Sequence, residues 1–217
     1  MKQIIGIVGA SGDLGSQLTK RLKDNDCTVM TYSRSDPTSL SINDMMTQCG
    51  IVHMCCPLSV LEGVVSGKAV IVLHDSVMSS SLTASKQYVD SEAAVVHMLM
   101  NKTNTVVVAT DAPHHELIAE HLRSIGLVPR SMTVREHDYL IARSQAPLAL
   151  LCETLLPYLY EQAELGLLTP SGELLASTLH SRELAWTKET RDSILRNPEL
   201  ETLINEMQQI IAVHKGI

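Results

Sequence analysis

Phenylalanine is absent from this 217-residue sequence, tryptophan occurs once, and aromatic residues make up only 3%. A core built on stacked rings is excluded, so Leu, Ile, Val, Met and Ala must fill the interior. Positive charge is scarce too: 17 Lys and Arg against 24 Asp and Glu give a formal net charge of −7. That excludes the broad basic face a nucleic acid requires, but not a local basic pocket for a small anion. Long apolar runs are missing. The most apolar stretch, residues 146–160, is broken by Pro147, Glu153 and Pro157 and is too short for a membrane span. No leader pattern opens the chain, because Met1-Lys2 runs into Gln3-Ile4-Ile5-Gly6-Ile7-Val8, which reads as a strand. None of the five cysteines has C-x-x-C spacing, although Cys55 and Cys56 are adjacent. Neither a metal cluster nor a disulfide framework is expected, and reduced, buried thiols in a cytoplasmic protein fit this usage.

What remains is a globular composition, 45% hydrophobic and 19% charged, long enough for one good core or two small domains. Short β-branched runs at 4–8, 28–32, 51–55 and 70–73 read as parallel strands. Runs at 94–98, 105–110 and 127–133 continue the pattern. Residues 13–23, 59–65 and 113–124 read as helices between strands. After Thr133 no further strand is expected. Residues 136–165 form a mostly apolar helical stretch that Pro147 and Pro157 should divide. Thr169-Pro170-Ser171-Gly172 reads as a turn or helix start. Residues 173–196 and 198–214 read as helices, Asn197 capping the second with Pro198 at its first position. The expectation is therefore an α/β domain over 1–133 and a helical domain over 134–217. The helical part would close over the sheet's carboxyl edge and make a homodimer.

The glycines sharpen this. Gly9-x-x-Gly12-x-x-Gly15 follows a strand and opens a helix, the context a dinucleotide fingerprint requires. The first glycine permits a tight turn, the second lets backbone approach a pyrophosphate, and the third lets helix and strand pack closely. The helix start offers free N–H groups to phosphate. Ser11, Asp13 and Leu14 complete the loop. A purely structural glycine-rich turn is the alternative. In NAD-specific domains an acid ends the second strand and takes the ribose hydroxyls. Here Thr31-Tyr32-Ser33-Arg34 ends it, so Ser33 and Arg34 stand where a 2′-phosphate would lie. NADP is therefore expected over NAD, unless Arg34 is merely a solvated surface residue. The reading is a doubly wound parallel sheet of the Rossmann type followed by an all-α C-terminal dimerisation domain.

With these residues in place, most of the chain resembles the prephenate and arogenate dehydrogenases of tyrosine synthesis. Val8-Gly9-Ala10-Ser11-Gly12-Asp13-Leu14-Gly15 resembles their cofactor loop. Residues 49–57, ending Cys55-Cys56-Pro57, are similar to their third strand, whose proline stands beside the cofactor. Leu73-His74-Asp75-Ser76-Val77-Met78 is similar to a D-x-x-S-V-K segment. Val95-Val96-His97-Met98 is similar to a G-x-H-P-M segment that carries a catalytic histidine. Glu136-His137-Asp138 matches an E-H-D that starts the helical domain, and Gln145 fits seven residues on. The departures are Leu73 for the Asp, Met78 for the Lys, no proline after His97, a shortened loop at 101–104, and Ala149 where many members place another histidine.

The resemblance implies NADP-dependent oxidative decarboxylation of prephenate or arogenate, a small dicarboxylate-type substrate. His97 would accept the hydroxyl proton and Ser76 would orient it. His137, Gln145, Arg182 and Arg191 would face the substrate, and Cys56 and Pro57 would border the cofactor. Each has a plainer alternative. His97 alone reads as a hydrogen-bonded structural histidine, and Ser76 as a turn or cap serine. His137 and Asp138 alone read as a helix start. Arg182 and Arg191 lie nine residues apart on one helical stretch and so do not share a face. Both alternatively belong to a solvated face with partners such as Glu183 or Glu189. His114-His115 reads as surface, and Met45, Met46, Met98 and Met100 as core filler. Two other readings remain: a deazaflavin-dependent NADP reductase, with a similar glycine loop and Ser-Arg pair, and an NADP-binding regulator or degenerate paralogue without turnover.

Overall fold

The structure is a computed structural model, which describes residues 4–36, 40–65, 67–88, 93–99 and 104–215. Met100, expected as core filler, and most of the shortened 101–104 loop lie outside them. The chain divides into two compact units, Met1–His137 and Asp138–Ile217.

The first unit is built on a seven-stranded sheet of order β2-β1-β3-β4-β5-β6-β7. The strands are β1 (Ile4–Val8), β2 (Thr28–Tyr32), β3 (Ile51–Met54), β4 (Val70–His74), β5 (Ala93–Met98), β6 (Thr105–Ala109) and β7 (Val128–Met132). Strands β1 to β5 are parallel, as the alternation of strands and helices requires. β6 departs from the parallel expectation: it pairs antiparallel with β5, and β7 pairs parallel with β6. Met98 ends β5 and Thr105 begins β6, a gap far shorter than the dozen or so residues a parallel crossover needs.

Helices cover both faces, because the strands are apolar on both. On one face Ile5, Ile7, Ile51, Val72, Ala94, Val96, Val106 and Val108 pack against α1 (Asp13–Asp24) and α4 (His115–Ser124). These helices present Leu18 and Leu22, and Ile118, Ala119 and Leu122. On the other face Val8, Val52, Met54, Ile71 and Leu73 meet Met45 and Met46 of α2 (Ile42–Gln48) and Ala84 of α3 (Met78–Tyr88). Met45 and Met46 are fully buried, taking the volume that rings would otherwise fill. α2 and α3 are helices that the sequence pattern did not reveal. α2 is short, and α3 is rich in serine. The expected helix over 59–65 is only a 3-10 turn, Leu58–Leu61.

α5 (Val134–Ser144) opens with a reciprocal cap. Thr133 Oγ1 accepts from the Glu136 N–H at 3.2 Å, and a Glu136 carboxylate oxygen accepts from the Thr133 N–H at 2.8 Å. Glu136 of the E-H-D motif is thus the third residue of a capping box.

The second unit is helical: α6 (Ala146–Thr154), α7 (Leu156–Glu164), α8 (Pro170–Ala185), α9 (Lys188–Leu195) and α10 (Leu200–Lys215). Pro147 and Pro157 sit in the first turns of α6 and α7, so each proline begins a helix, where its missing N–H costs nothing. Thr169 caps α8 through the Gly172 N–H. The stretch expected as one helix over 173–196 is two: Trp186 is extended, and Thr187 recaps α9 through the Thr190 N–H. Ala146, Ala149, Ile194 and Leu200 form one small core, and Cys152, Leu156 and Leu179 another. Among the described residues no helix is long and apolar enough to cross a membrane.

Candidate nucleotide cleft and active site

The strand order reverses at β1. The chain moves out to β2 and returns across β1 to β3, leaving a switch point between β1 and β3 at their carboxyl ends, where open α/β sheets bind ligands. A cavity of about 380 Å³ lies there, lined among others by Gly9, Ser11, Gly12, Ser33, Arg34, Cys56 and Pro57. Two glycines make this shape possible. Gly9 has φ +84°, and a Cβ on it would sit 2.3 Å from the Cys55 carbonyl oxygen. A Cβ on Gly15 would sit 2.2 Å from the Gly9 carbonyl oxygen, which sets how closely α1 approaches the loop. Gly12 is different: only the Gly9 oxygen, at 3.3 Å, would meet its Cβ. As the helix N-cap it supplies no side-chain acceptor to the first-turn amides of α1. Asp13 itself accepts from Gln17 at 2.9 Å. Leu14 is half-buried.

At the end of β2, Ser33 Oγ lies 2.6 Å from Ser11 Oγ and 2.9 Å from Ser35 Oγ. Three hydroxyls thus run from the glycine loop along the end of β2, where Ser33 and Ser35 flank the exposed Arg34. Ser35 is a member that sequence reasoning missed, since its link to Ser11 passes through the β1–β2 pairing. Burial pushes the Cys56 thiol up to about 11, although Arg34 opposes this, and burial raises Cys55 further. Both stay protonated near neutral pH and are poor nucleophiles. All five cysteines are free.

His97, at the end of β5, is buried and places Nδ1 2.9 Å from Nε2 of buried His137 in the first turn of α5. The rings meet edge to face, with centroids 5.1 Å apart. Asp75 follows β4 and accepts from Ser81 Oγ at 3.2 Å. Ser76 is half-buried in the turn between β4 and α3. Met78, where the resemblance would put a lysine, is fully buried in a cluster with Val95 and Val107.

The other expected substrate residues belong to the second unit. Gln145 is the half-buried link between α5 and α6. Arg182 is exposed on α8. Arg191 on α9 lies 3.0 Å from a Glu153 oxygen and 3.7 Å from a Glu183 oxygen. Its charge is held by two carboxylates of its own unit. Asp138 is buried, and its carbonyl accepts from the Asn197 side chain at 2.8 Å.

His53 on β3, His74 on β4 and His121 on α4 form a further cluster that sequence spacing did not suggest. His53 bonds His74 at 2.9 Å and His121 at 3.1 Å. Among the described residues no group of three or more His, Cys, Asp or Glu side chains has the arrangement of a metal site.

No known family's sequence profile matches the chain, and no curated protein matches it in sequence. Solved structures do match. Prephenate dehydrogenase from Aquifex aeolicus, in complex with hydroxyphenyl propionate and NAD+, superposes with a TM-score of 0.74 at 16% identity. That match covers 100% of this chain and 90% of that one. Arogenate dehydrogenase from Synechocystis gives 0.59 at 18% identity, covering 97% and 86%. Pyrroline carboxylate reductase from Plasmodium falciparum, with NADP bound, gives 0.50 at 14% identity, covering 98% and 93%. The chain therefore has the fold of the prephenate and arogenate dehydrogenases. Other reductases share that fold, so chemistry has to be argued from the site.

Proposed function

We propose that the chain is an NADP-dependent dehydrogenase that oxidatively decarboxylates prephenate or arogenate. Residues 1–133 would bind the dinucleotide, and residues 134–217 would face the substrate and form a cytoplasmic homodimer. The observation that carries this is the buried His97–His137 pair, in which His97 stands on a strand of the sheet whose switch point forms the glycine-lined cleft.

The cleft fits a pyridine dinucleotide. Gly9, Gly12 and Gly15 would hold the pyrophosphate with the first-turn amides of α1, and Cys56 and Pro57 would wall the far side. Ser11, Ser33 and Arg34 would take the 2′-phosphate, Arg34 through its two-pronged guanidinium. When bound, the nicotinamide ring supplies a hydride acceptor.

His97 would receive the substrate hydroxyl. With its Nδ1–H donated to His137 Nε2, the lone pair of His97 sits on Nε2, the tautomer a proton acceptor needs. Ser76 would position the hydroxyl. The hydroxyl proton leans to His97 as C–H is lost and returns as carbon dioxide leaves and the ring becomes a phenol. Atoms and charge then balance with no net proton released. Arg182 is the better carboxylate partner, because Arg191 is already held by Glu153 and Glu183.

Met78 supports a second reading, an NADP-binding protein without turnover, because a buried methionine supplies no cation there. One assay separates the two. Purified protein is given prephenate or arogenate with NADP+ or NAD+, and the reduced-nicotinamide absorbance is followed. Turnover supports the dehydrogenase. Tight dinucleotide binding with no turnover on either substrate supports the second reading.

A further inference from the structure

A second cavity opens in the first unit. Its volume is about 470 Å³, larger than the nucleotide cleft, and the two share no lining residue. One wall is the C-terminal half of α1. Asp24 stands three and four residues beyond Arg21 and Lys20, so the three share a face of that helix. The rest of the lining includes Met98, which ends β5, Asn104 beside the start of β6, and Leu127 just before β7.

Arg21 is half-buried and held in place. Its Nη1 donates to the Ile125 and Gly126 carbonyls at 3.5 and 3.2 Å, and its Nη2 donates to Asn104 Oδ1 at 2.8 Å. The two carbonyls close α4, so part of the work of Arg21 is to cap that helix. The cap fixes the guanidinium without neutralising it, because all three acceptors are uncharged. A guanidinium also carries more N–H donors than these bonds use. Among the described residues no ion pair involves Lys20, Arg21 or Asp24. Two cations and one carboxylate line the cavity, which leaves it one net positive charge.

The apolar part lies deeper. Leu127 is 5% exposed and Met98 is half-buried, whereas Lys20 and Asp24 are exposed. A recessed apolar surface with a few convergent polar groups is the usual form of a small-molecule site. The lining also narrows the ligand. An inorganic anion would make no use of Met98 and Leu127. A neutral apolar compound would make no use of Arg21. A phosphate monoester brings close to two negative charges, more than this lining offsets.

We propose that this cavity binds a small monocarboxylate with a compact apolar body, its carboxylate on Arg21 and Lys20 and its apolar end against Met98 and Leu127. None of the residues assigned to the dinucleotide lines it, so both ligands can be bound at once. The site does not depend on which substrate the chain oxidises.

The test is amide NMR of the whole protein titrated with hexanoate, acetate and hexylammonium. Hexanoate should give saturable shifts at Lys20, Arg21, Asp24, Met98, Thr105 and Leu127, with a Kd on the order of millimolar. Acetate lacks the apolar chain and should bind at least about tenfold more weakly. Hexylammonium has the wrong charge and should leave these amides unmoved. The hexanoate shifts should persist with NADP+ saturating the cleft. Lys20→Glu reverses an exposed charge without touching the core and should weaken hexanoate about threefold to tenfold. Met98→Gln should weaken hexanoate and leave acetate unchanged. Absence of saturable hexanoate shifts at these amides would overturn the site, and that result needs no variant to fold. So would equal binding of acetate or hexylammonium, loss of the shifts when NADP+ is added, or an affinity indifferent to Lys20→Glu.

Discussion

Nδ1 of His97 and Nε2 of His137 lie 2.9 Å apart, joining β5 to the first turn of α5 across forty residues of sequence. One ring must donate and the other accept, so each fixes the tautomer of its partner. His97→Asn removes the proton acceptor and keeps a polar group. Turnover should fall about 10²- to 10⁴-fold, with dinucleotide affinity unchanged. Steady-state kinetics and calorimetric titration check this, and retained turnover would refute the role.

Arg34 lies between Ser33 and Ser35, two members of the Ser11–Ser33–Ser35 hydroxyl run. Arg34→Ala should weaken NADP binding by about tenfold or more and leave NAD binding nearly unchanged. Equal losses for the two dinucleotides would remove the preference for the 2′-phosphate.

Gly15→Ala forces a methyl group to 2.2 Å from the Gly9 carbonyl oxygen. A destabilisation of about 1–3 kcal/mol is expected, with loss of dinucleotide binding as α1 moves away from the loop. Gly12→Ala should cost less stability, because its one close contact is at 3.3 Å. Urea unfolding of both variants compares them, and an equal cost would contradict the geometry.

The buried histidines make stability depend on acid. In the unfolded chain they take up protons near pH 6.5, as free histidines do. In the folded chain His121 resists until about 4 and His74 until about 3. Stability is therefore full above about pH 6.5 and falls as pH drops below it, by about 1.4 kcal/mol per pH unit for each such ring. Thermal melts between pH 7.5 and 5 should show the decline, and the slope should be shallower in His121→Gln. A flat profile would contradict the buried, neutral cluster.

Leu174 and Leu184 on α8 and Val213 on α10 are 70% to 77% exposed, and Ile210 and Ile211 are at least half exposed. Apolar side chains left out in this number fit a covered interface. If the second unit forms the homodimer, Ile210→Glu with Val213→Glu should turn a dimer into a monomer in sedimentation experiments and leave the sheet's circular dichroism unchanged. A wild-type monomer would remove the dimer proposal.

Much of the fold was legible in local patterns. Strands β1, β3, β4 and β5 announced themselves by short, largely apolar runs, because parallel strands inside the sheet are buried on both faces, and the edge strand β2 by its β-branched Thr28, Val29 and Thr31. The Gly9, Gly12 and Gly15 spacing marked the loop, because close backbone approach admits no side chain. Pro147 and Pro157 marked where the long helical stretch divides. Less was legible where the signal is weak or long-range. The serine-rich α3 carries little apolar periodicity, and the break at Trp186 replaced one expected helix by two. The antiparallel turn of β6 was hidden in a connection length.

The sequence by itself determined the alternation of strands and helices, the glycine loop and the serine–arginine end of β2, since each rests on neighbours within a few residues. Only the tertiary structure decided which histidines meet. His97 with His137, and His53 with His74 and His121, are joined by strand order and helix packing, because side chains far apart in the chain become partners only when the sheet sets their strands side by side.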